Sequence, residues 1–176
     1  MNLFDSFTAA LPLSDFLAKY GGDADRKRWT RAREQSHLTH GQKTLLGKFT
    51  RRTNVLVLAG AWCGDCSSQC PIFEAFAAAA PVIVTRYLDR DEHADVQAAL
   101  RINGGNRVPV VVFFSEDGHE VARYGERTLA RYRQLAGQPT GPEPIEEQIV
   151  HDWLNEFERV QWILRLSPRL RKLHGD

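Results

Sequence analysis

Trp62-Cys63-Gly64-Asp65-Cys66 follows the apolar run Val55-Leu56-Val57-Leu58-Ala59 and precedes a helix-forming stretch, and no other feature restricts this chain so strongly. An unbroken apolar run of this kind suits a parallel strand covered on both faces. Two thiols at the exit of such a strand and the entry of a helix are placed to form and break a disulfide. Helix N-termini carry unpaired N–H groups and partial positive charge, which favours a thiolate at Cys63. Cys66 lies within reach across the first turn and can attack a mixed disulfide formed at Cys63. The expected chemistry is therefore redox.

The surrounding pattern reads β, α, β, α, β, β. The first strand leads into a helix from about 64 to 80, ending before Pro81, with Ile72, Phe73 and Phe76 facing a sheet. Residues 82–88 form a second strand and 92–101 a helix. After the turn residues Asn103-Gly104-Gly105-Asn106, a third strand runs from Val108 to Phe114. The Asp117-Gly118 step then signals a hairpin into 119–124. This makes a parallel pair extended by an antiparallel hairpin.

The flanks read as helical. Residues 23 to 52 favour helix, with Trp29, Leu38, Leu45, Leu46 and Phe49 inward and Gly41 as the weak point. Residues 138–144 hold three prolines and read as a linker. From Ile145 to Leu166 the stripe Ile149, Trp153, Phe157, Val160 and Leu164 predicts a long amphipathic helix, stopped by Pro168. Such a stripe is too large to stay exposed, and it is expected on the chain's own sheet.

At 176 residues the chain suits one domain: an N-terminal helical extension over 1–52, a core over 53–126 and a C-terminal helical part over 127–176. With 23 basic against 22 acidic residues it has no electrostatic footprint for nucleic acid or a membrane surface. The cluster Arg26-Lys27-Arg28 reads as a solvated helix face, because Asp23, Asp25 and Glu34 interleave with it. Asp5, Pro12 and Asp15 interrupt the apolar residues of the first twenty positions, so neither a secretory signal nor a membrane span is expected there. The expected setting is cytoplasmic, where a Cys-x-x-Cys is catalytic or metal-binding more often than structural.

Cys63, Cys66 and Cys70-Pro71 echo the tail of a ferredoxin cluster run, but the chain has three cysteines where a cluster needs four thiolates. His37, His40, His93, His119, His151 and His174 show no paired spacing for zinc. No metal and no cofactor are expected. Cys70 stands one turn from Cys66, where helix geometry holds Cβ atoms ~5–6 Å apart against the ~3.5–4.5 Å a disulfide wants, so it reads as a small buried hydrophobe.

The motif, the strand before it, Pro71, Val108-Pro109, Gly118 and Gly125 together resemble the thioredoxin superfamily over residues 53 to 126. The resemblance implies a thioredoxin-like α/β fold: a central mixed sheet flanked by helices, here with extra N- and C-terminal helices. It implies Cys63 as nucleophile, Cys66 as resolving thiol, and Pro109 as a cis proline facing the pair. By the same resemblance Val108 offers its backbone to a substrate and Trp62 forms part of the rim. The implied activity is thiol–disulfide exchange on a protein or small-molecule disulfide, fed by a thiol-reducing electron donor. The alternative is a non-catalytic binding module or redox sensor on the same fold.

Three positions depart from the family pattern. Val57 stands where reducing members commonly carry a buried aspartate, and Tyr87 or Arg86 stands where a lysine is common. Asp65 replaces the proline between the cysteines. Gly64 and Asp65 would modulate the pair: the Asp65 charge disfavours a thiolate at Cys63 and so makes the couple reducing. Asp65 is also the nearest candidate to take the proton of Cys66.

Overall fold

The computed structural model describes residues 2–176. Two short helices open it, α1 (Leu3–Ala9) and α2 (Leu13–Tyr20). Asn2 caps α1 by accepting the Phe4 N–H, and Pro12 precedes α2 without a side-chain cap. Each is too short to be stable alone and depends on packing. Phe4 and Phe7 stack on each other and meet Phe114 edge-on or tilted, while Phe16 packs on Trp29 and Tyr87.

The helical stretch expected over 23 to 52 is two helices, α3 (Asp23–Gln35) and α4 (His40–Leu46). The break falls at Ser36–Thr39, upstream of Gly41, which lies inside α4. The Thr39 hydroxyl accepts the Gln42 N–H at 3.2 Å and the Gln42 side chain accepts the Thr39 N–H at 2.8 Å. That reciprocal cap starts a new helix and outweighs the weak point at glycine.

The sheet comprises β1 (Thr53–Ala59), β2 (Ile83–Asp89), β3 (Val110–Phe114) and β4 (Glu120–Gly125), in the order β2-β1-β3-β4. β1 and β2 are parallel, and β3 runs antiparallel to both β1 and β4, as the sequence pattern requires. β1 is buried throughout, which accounts for its unbroken apolar run. Leu11 adds a single antiparallel bridge to Tyr87 at the outer edge of β2. In the hairpin between β3 and β4, Gly118 has φ +82 and a side chain there would strike Phe4.

Between the strands lie α5 (Gly64–Ala79) and α6 (Ala94–Ala99), and after β4 come α7 (Leu129–Leu135), α8 (Ile145–Leu166) and α9 (Pro168–His174). Pro168 both ends α8 and serves as the first residue of α9. Side chains alternate across β3: Phe114 faces α1, and Phe113 faces α8. Phe157 of α8 has ring centroids of Phe73, Phe76 and Phe113 at 5.6, 5.1 and 5.0 Å. The apolar stripe of α8 thus covers α5 and the chain's own sheet, and all five of its residues are buried. Gln161 adds a polar clamp, accepting from the N–H groups of Thr50 and Arg51 and donating to Arg51 O and Thr53 Oγ1. Among the described residues no helix is long and apolar enough to cross a membrane.

Candidate functional site

The chain leaves β1 at Ala59, turns through Gly60–Trp62 and enters α5 with Cys63 as N-cap. The Cys63 N–H closes the turn on Gly60 O at 3.0 Å, and its carbonyl accepts the Ser67 N–H at 3.0 Å. All three cysteines are free thiols. Cys63 keeps 9% of its surface exposed, whereas Cys66 and Cys70 have none. Only Cys63 can be reached from solvent without moving the chain.

The turn is held from behind by α3. Trp29 donates its indole N–H to Ala61 O at 2.8 Å. Arg28 donates to Ala61 O, Trp62 O and Ser67 Oγ at 3.2, 2.9 and 3.1 Å. Arg26, Lys27 and Arg28 are all exposed, as a solvated face requires, and Arg28 in addition supports the motif. Trp62 is half exposed, stacked under the Arg90 guanidinium at 4.6 Å and bonded through its indole N–H to Asp91 Oδ2 at 3.2 Å. It stands at the rim, with its ring against Gly60.

Opposite the thiols runs Val108-Pro109, joined by a cis peptide bond. The Cys63 sulfur lies 3.7 Å from Val108 O. The approach of β4 to this segment is close: a Cβ on Gly125 would come within 2.4 Å of Pro109 O, and φ there is +151. Glycine is required at that contact.

Hydrogen bonding with the Cys66 thiol, burial and the prospect of a neighbouring thiolate all push the Cys63 thiol up, opposed by the N–H groups of Cys66 and Asp65 that face its sulfur. The helix terminus acts on Cys63 in the direction expected, and the neighbouring thiol and burial act against it. Burial pushes Cys66 up as well. The Cys63 thiol relieves this by hydrogen bonding, the Cys70 thiol adds to it, and the Gly60 backbone opposes it.

Asp65 differs from expectation in its partner. Arg127 binds its carboxylate with Nη2 at 2.7 Å and Nε at 2.9 Å, and Arg131 Nε stands at 3.8 Å. Its charge is therefore offset by a guanidinium, which weakens its effect on Cys63. Gly64 is exposed, with nothing within 4 Å of where a Cβ would stand. Val57 is fully buried, opposite Tyr87 in β2 and Val111 in β3. Among the described residues no group of three or more His, Cys, Asp or Glu side chains could hold a metal ion.

A sequence model of the thioredoxin family matches residues 10–135. The chain belongs to the thioredoxin family. The match reaches well upstream of residue 53, taking in α2, α3 and α4 and so the Arg28 and Trp29 that support this thioredoxin motif. No curated protein matches the sequence. Among solved structures, a Pseudomonas aeruginosa protein of unknown function is similar at 20% identity over 88% of this chain and 95% of that one, with a TM-score of 0.68. An HIV epitope-scaffold carrying the 4E10 label is similar at 19% identity over 90% of this chain and 99% of that one, with a TM-score of 0.71. These likenesses show that the fold is shared over most of the chain.

Sequence reasoning missed the polar frame of this thioredoxin site. Gln69 donates to Glu126 O at 3.0 Å and accepts the Trp153 indole N–H at 2.9 Å, linking α5, the strand exit after β4 and α8. The buried Glu126 carboxylate accepts from Tyr132 at 3.0 Å and pairs with Arg127 at 3.3 Å. A glutamine on the inward face of an otherwise apolar helix was the one available signal, since buried amides need partners.

Proposed function

We propose that this chain is a thiol–disulfide oxidoreductase that reduces disulfides of proteins or small molecules through Cys63 and Cys66. The observation that carries the reading is the position of Cys63: the one thiol with solvent access, at the N-cap of α5, its sulfur 3.7 Å from the carbonyl of Val108 beside the cis Pro109.

In this reading Cys63 loses its proton to solvent and attacks one sulfur of the substrate disulfide, and the other substrate sulfur leaves as a thiolate. The backbone N–H groups of Asp65 and Cys66 stabilise the attacking anion. Val108 and Trp62 border the substrate, the first through its backbone and the second as a rim. Cys66 then surrenders its proton and attacks Cys63, releasing the second substrate thiolate and leaving a Cys63–Cys66 disulfide. Two electrons and two protons pass from the dithiol to the substrate. A thiol donor restores the pair, and no further cofactor is needed because the sulfurs carry the electrons. A cytoplasmic setting belongs to the same reading, since thiols there are kept reduced.

Insulin reduction driven by dithiothreitol, run beside Cys63→Ser, tests the proposal. Precipitation of the insulin B chain faster than with the variant is the expected result. Equal rates would overturn it in favour of a binding module on this fold.

A further inference from the structure

Val108, whose carbonyl oxygen stands 3.7 Å from the Cys63 sulfur, is preceded in the chain by an arginine with no close partner. The Arg107 side chain is 55% exposed. Among the described residues the one carboxylate within 4 Å of it is Glu126, 3.9 Å from Nε and so beyond hydrogen-bonding distance. Glu126 is already engaged, accepting from the Tyr132 hydroxyl and pairing with Arg127. The other arginines of the rim are occupied. Arg90 gives two guanidinium nitrogens to Asp91 and the third to Asn106 O. Arg127 holds Asp65, Arg131 donates to Gln134, and Arg28 holds Asp25 together with the main chain of the motif. Asp65, Asp91 and Glu126 thus each have a guanidinium of their own, and Arg107 is the cation left over.

The backbone beneath Arg107 is fixed while its guanidinium is not. Asn106 is held on two sides, donating its amide to Gln97 at 3.0 Å and accepting Arg90 at 3.4 Å, and Ile102 and Gly105 exchange backbone hydrogen bonds at 3.1 and 3.0 Å. The stem of Arg107 lies across Gly105, where a Cβ would stand 3.4 Å from Nε. We propose that Arg107 determines specificity by recruiting disulfides that carry a carboxylate beside the attacked sulfur. The proposal rests on the oxidoreductase reading. A guanidinium whose terminal nitrogens are unpartnered can offer two parallel N–H bonds to a carboxylate. Before contact its uncompensated charge raises the concentration of anionic disulfides next to Cys63. Such a carboxylate can belong to a small diacid disulfide or to an acidic residue adjoining a protein cysteine.

The test follows oxidation of the reduced protein by two matched pairs of disulfides, with acid quenching and mass spectrometry of the remaining thiols. The small pair is 3,3′-dithiodipropionate and the neutral bis(2-hydroxyethyl) disulfide. The peptide pair is the disulfide dimers of blocked Glu-Cys-Ala and Gln-Cys-Ala. Within a pair, the ratio of anionic to neutral rate is expected to fall about fivefold in Arg107→Gln at low ionic strength, and to stay near the wild-type value in Arg107→Lys, which keeps the charge. The pair that shows the fall identifies the source of the carboxylate, small molecule or protein. A ratio unchanged in both pairs, or one lost equally in Arg107→Gln and Arg107→Lys, would overturn the assignment. A wild-type protein that reacts with none of the four disulfides faster than Cys63→Ser does would overturn the oxidoreductase reading itself.

Discussion

Arg127 closes on Asp65 from the segment that follows β4, with two guanidinium nitrogens within 2.9 Å of one carboxylate oxygen. The dipeptide between the cysteines is thereby tied to the chain immediately after Gly125, which packs on Pro109. One ion pair joins the two sides of the site.

Removing that pair should be felt at Cys63. In Arg127→Ala the Asp65 charge is no longer offset, and alkylation of Cys63 by iodoacetamide at pH 7 is expected to fall about threefold. Adding Asp65→Asn should restore the rate. Because both side chains are partly exposed, stability should change by only ~1 kcal/mol or less in a denaturant melt. An unaltered alkylation rate in Arg127→Ala would show that the carboxylate does not act on the thiol.

Brief iodoacetamide treatment of the reduced protein should label Cys63 before Cys66 and Cys70, since only Cys63 has exposed surface. With the Cys63 thiol pushed up, its labelling rate should keep rising through pH 7 to 9 instead of levelling near neutrality. Peptide mass spectrometry reads both results. First labelling at Cys70 would contradict the assignment.

The same shifts govern stability. A thiol raised by folding retains its proton in the native state where the unfolded chain has lost it. The stability this contributes is complete below the unfolded cysteine value of about 8.5 and declines as pH rises above it. Cys63 and Cys66 both shift in this direction, and Tyr87 does so from a higher starting value. Thermal melts of the reduced protein should therefore fall from pH 8 to 10, and less steeply for Cys66→Ala. Parallel curves would refute the linkage.

Val57→Asp places a carboxylate at a fully buried position between Tyr87 and Val111. An unpaired buried charge of this kind should cost about 3–5 kcal/mol in a urea melt. Wild-type stability in the variant would mean that the interior at this position accepts a carboxylate.

Phe157 touches aromatic rings from α5 and β3 at once. Its replacement by alanine should cost about 3–5 kcal/mol. Deletion of residues 145–176 should give an unfolded or aggregating product, because the sheet face and Phe73 would be laid bare. A truncated protein that melts cooperatively as a monomer would show α8 to be a detachable element.

Periodicity and composition made the central elements legible. The unbroken apolar run of β1, the alternation into the Asp117-Gly118 turn, the inward face of α5 and the stripe of α8 are local patterns, and burial follows a period of two or 3.6 residues. The Cys63–Cys66 pair is equally local, since its chemistry lies within one helical turn. α1 and α2 fall within the helical extension expected over 1–52, but their bounds were not legible because their residues form no lasting pattern between Asp5, Pro12 and Asp15, and packing on Phe114 and Tyr87 supplies what propensity does not. The partners that finish the site stand far apart in the chain: Arg28 and Trp62, Asp65 and Arg127, Gln69 and Trp153. The sequence by itself determined the four strands, α5, α8 and where the two thiols sit. Tertiary structure alone decided what surrounds those thiols, because the reach of an arginine or the partner of a buried amide depends on how elements pack, and no spacing along the chain encodes that distance.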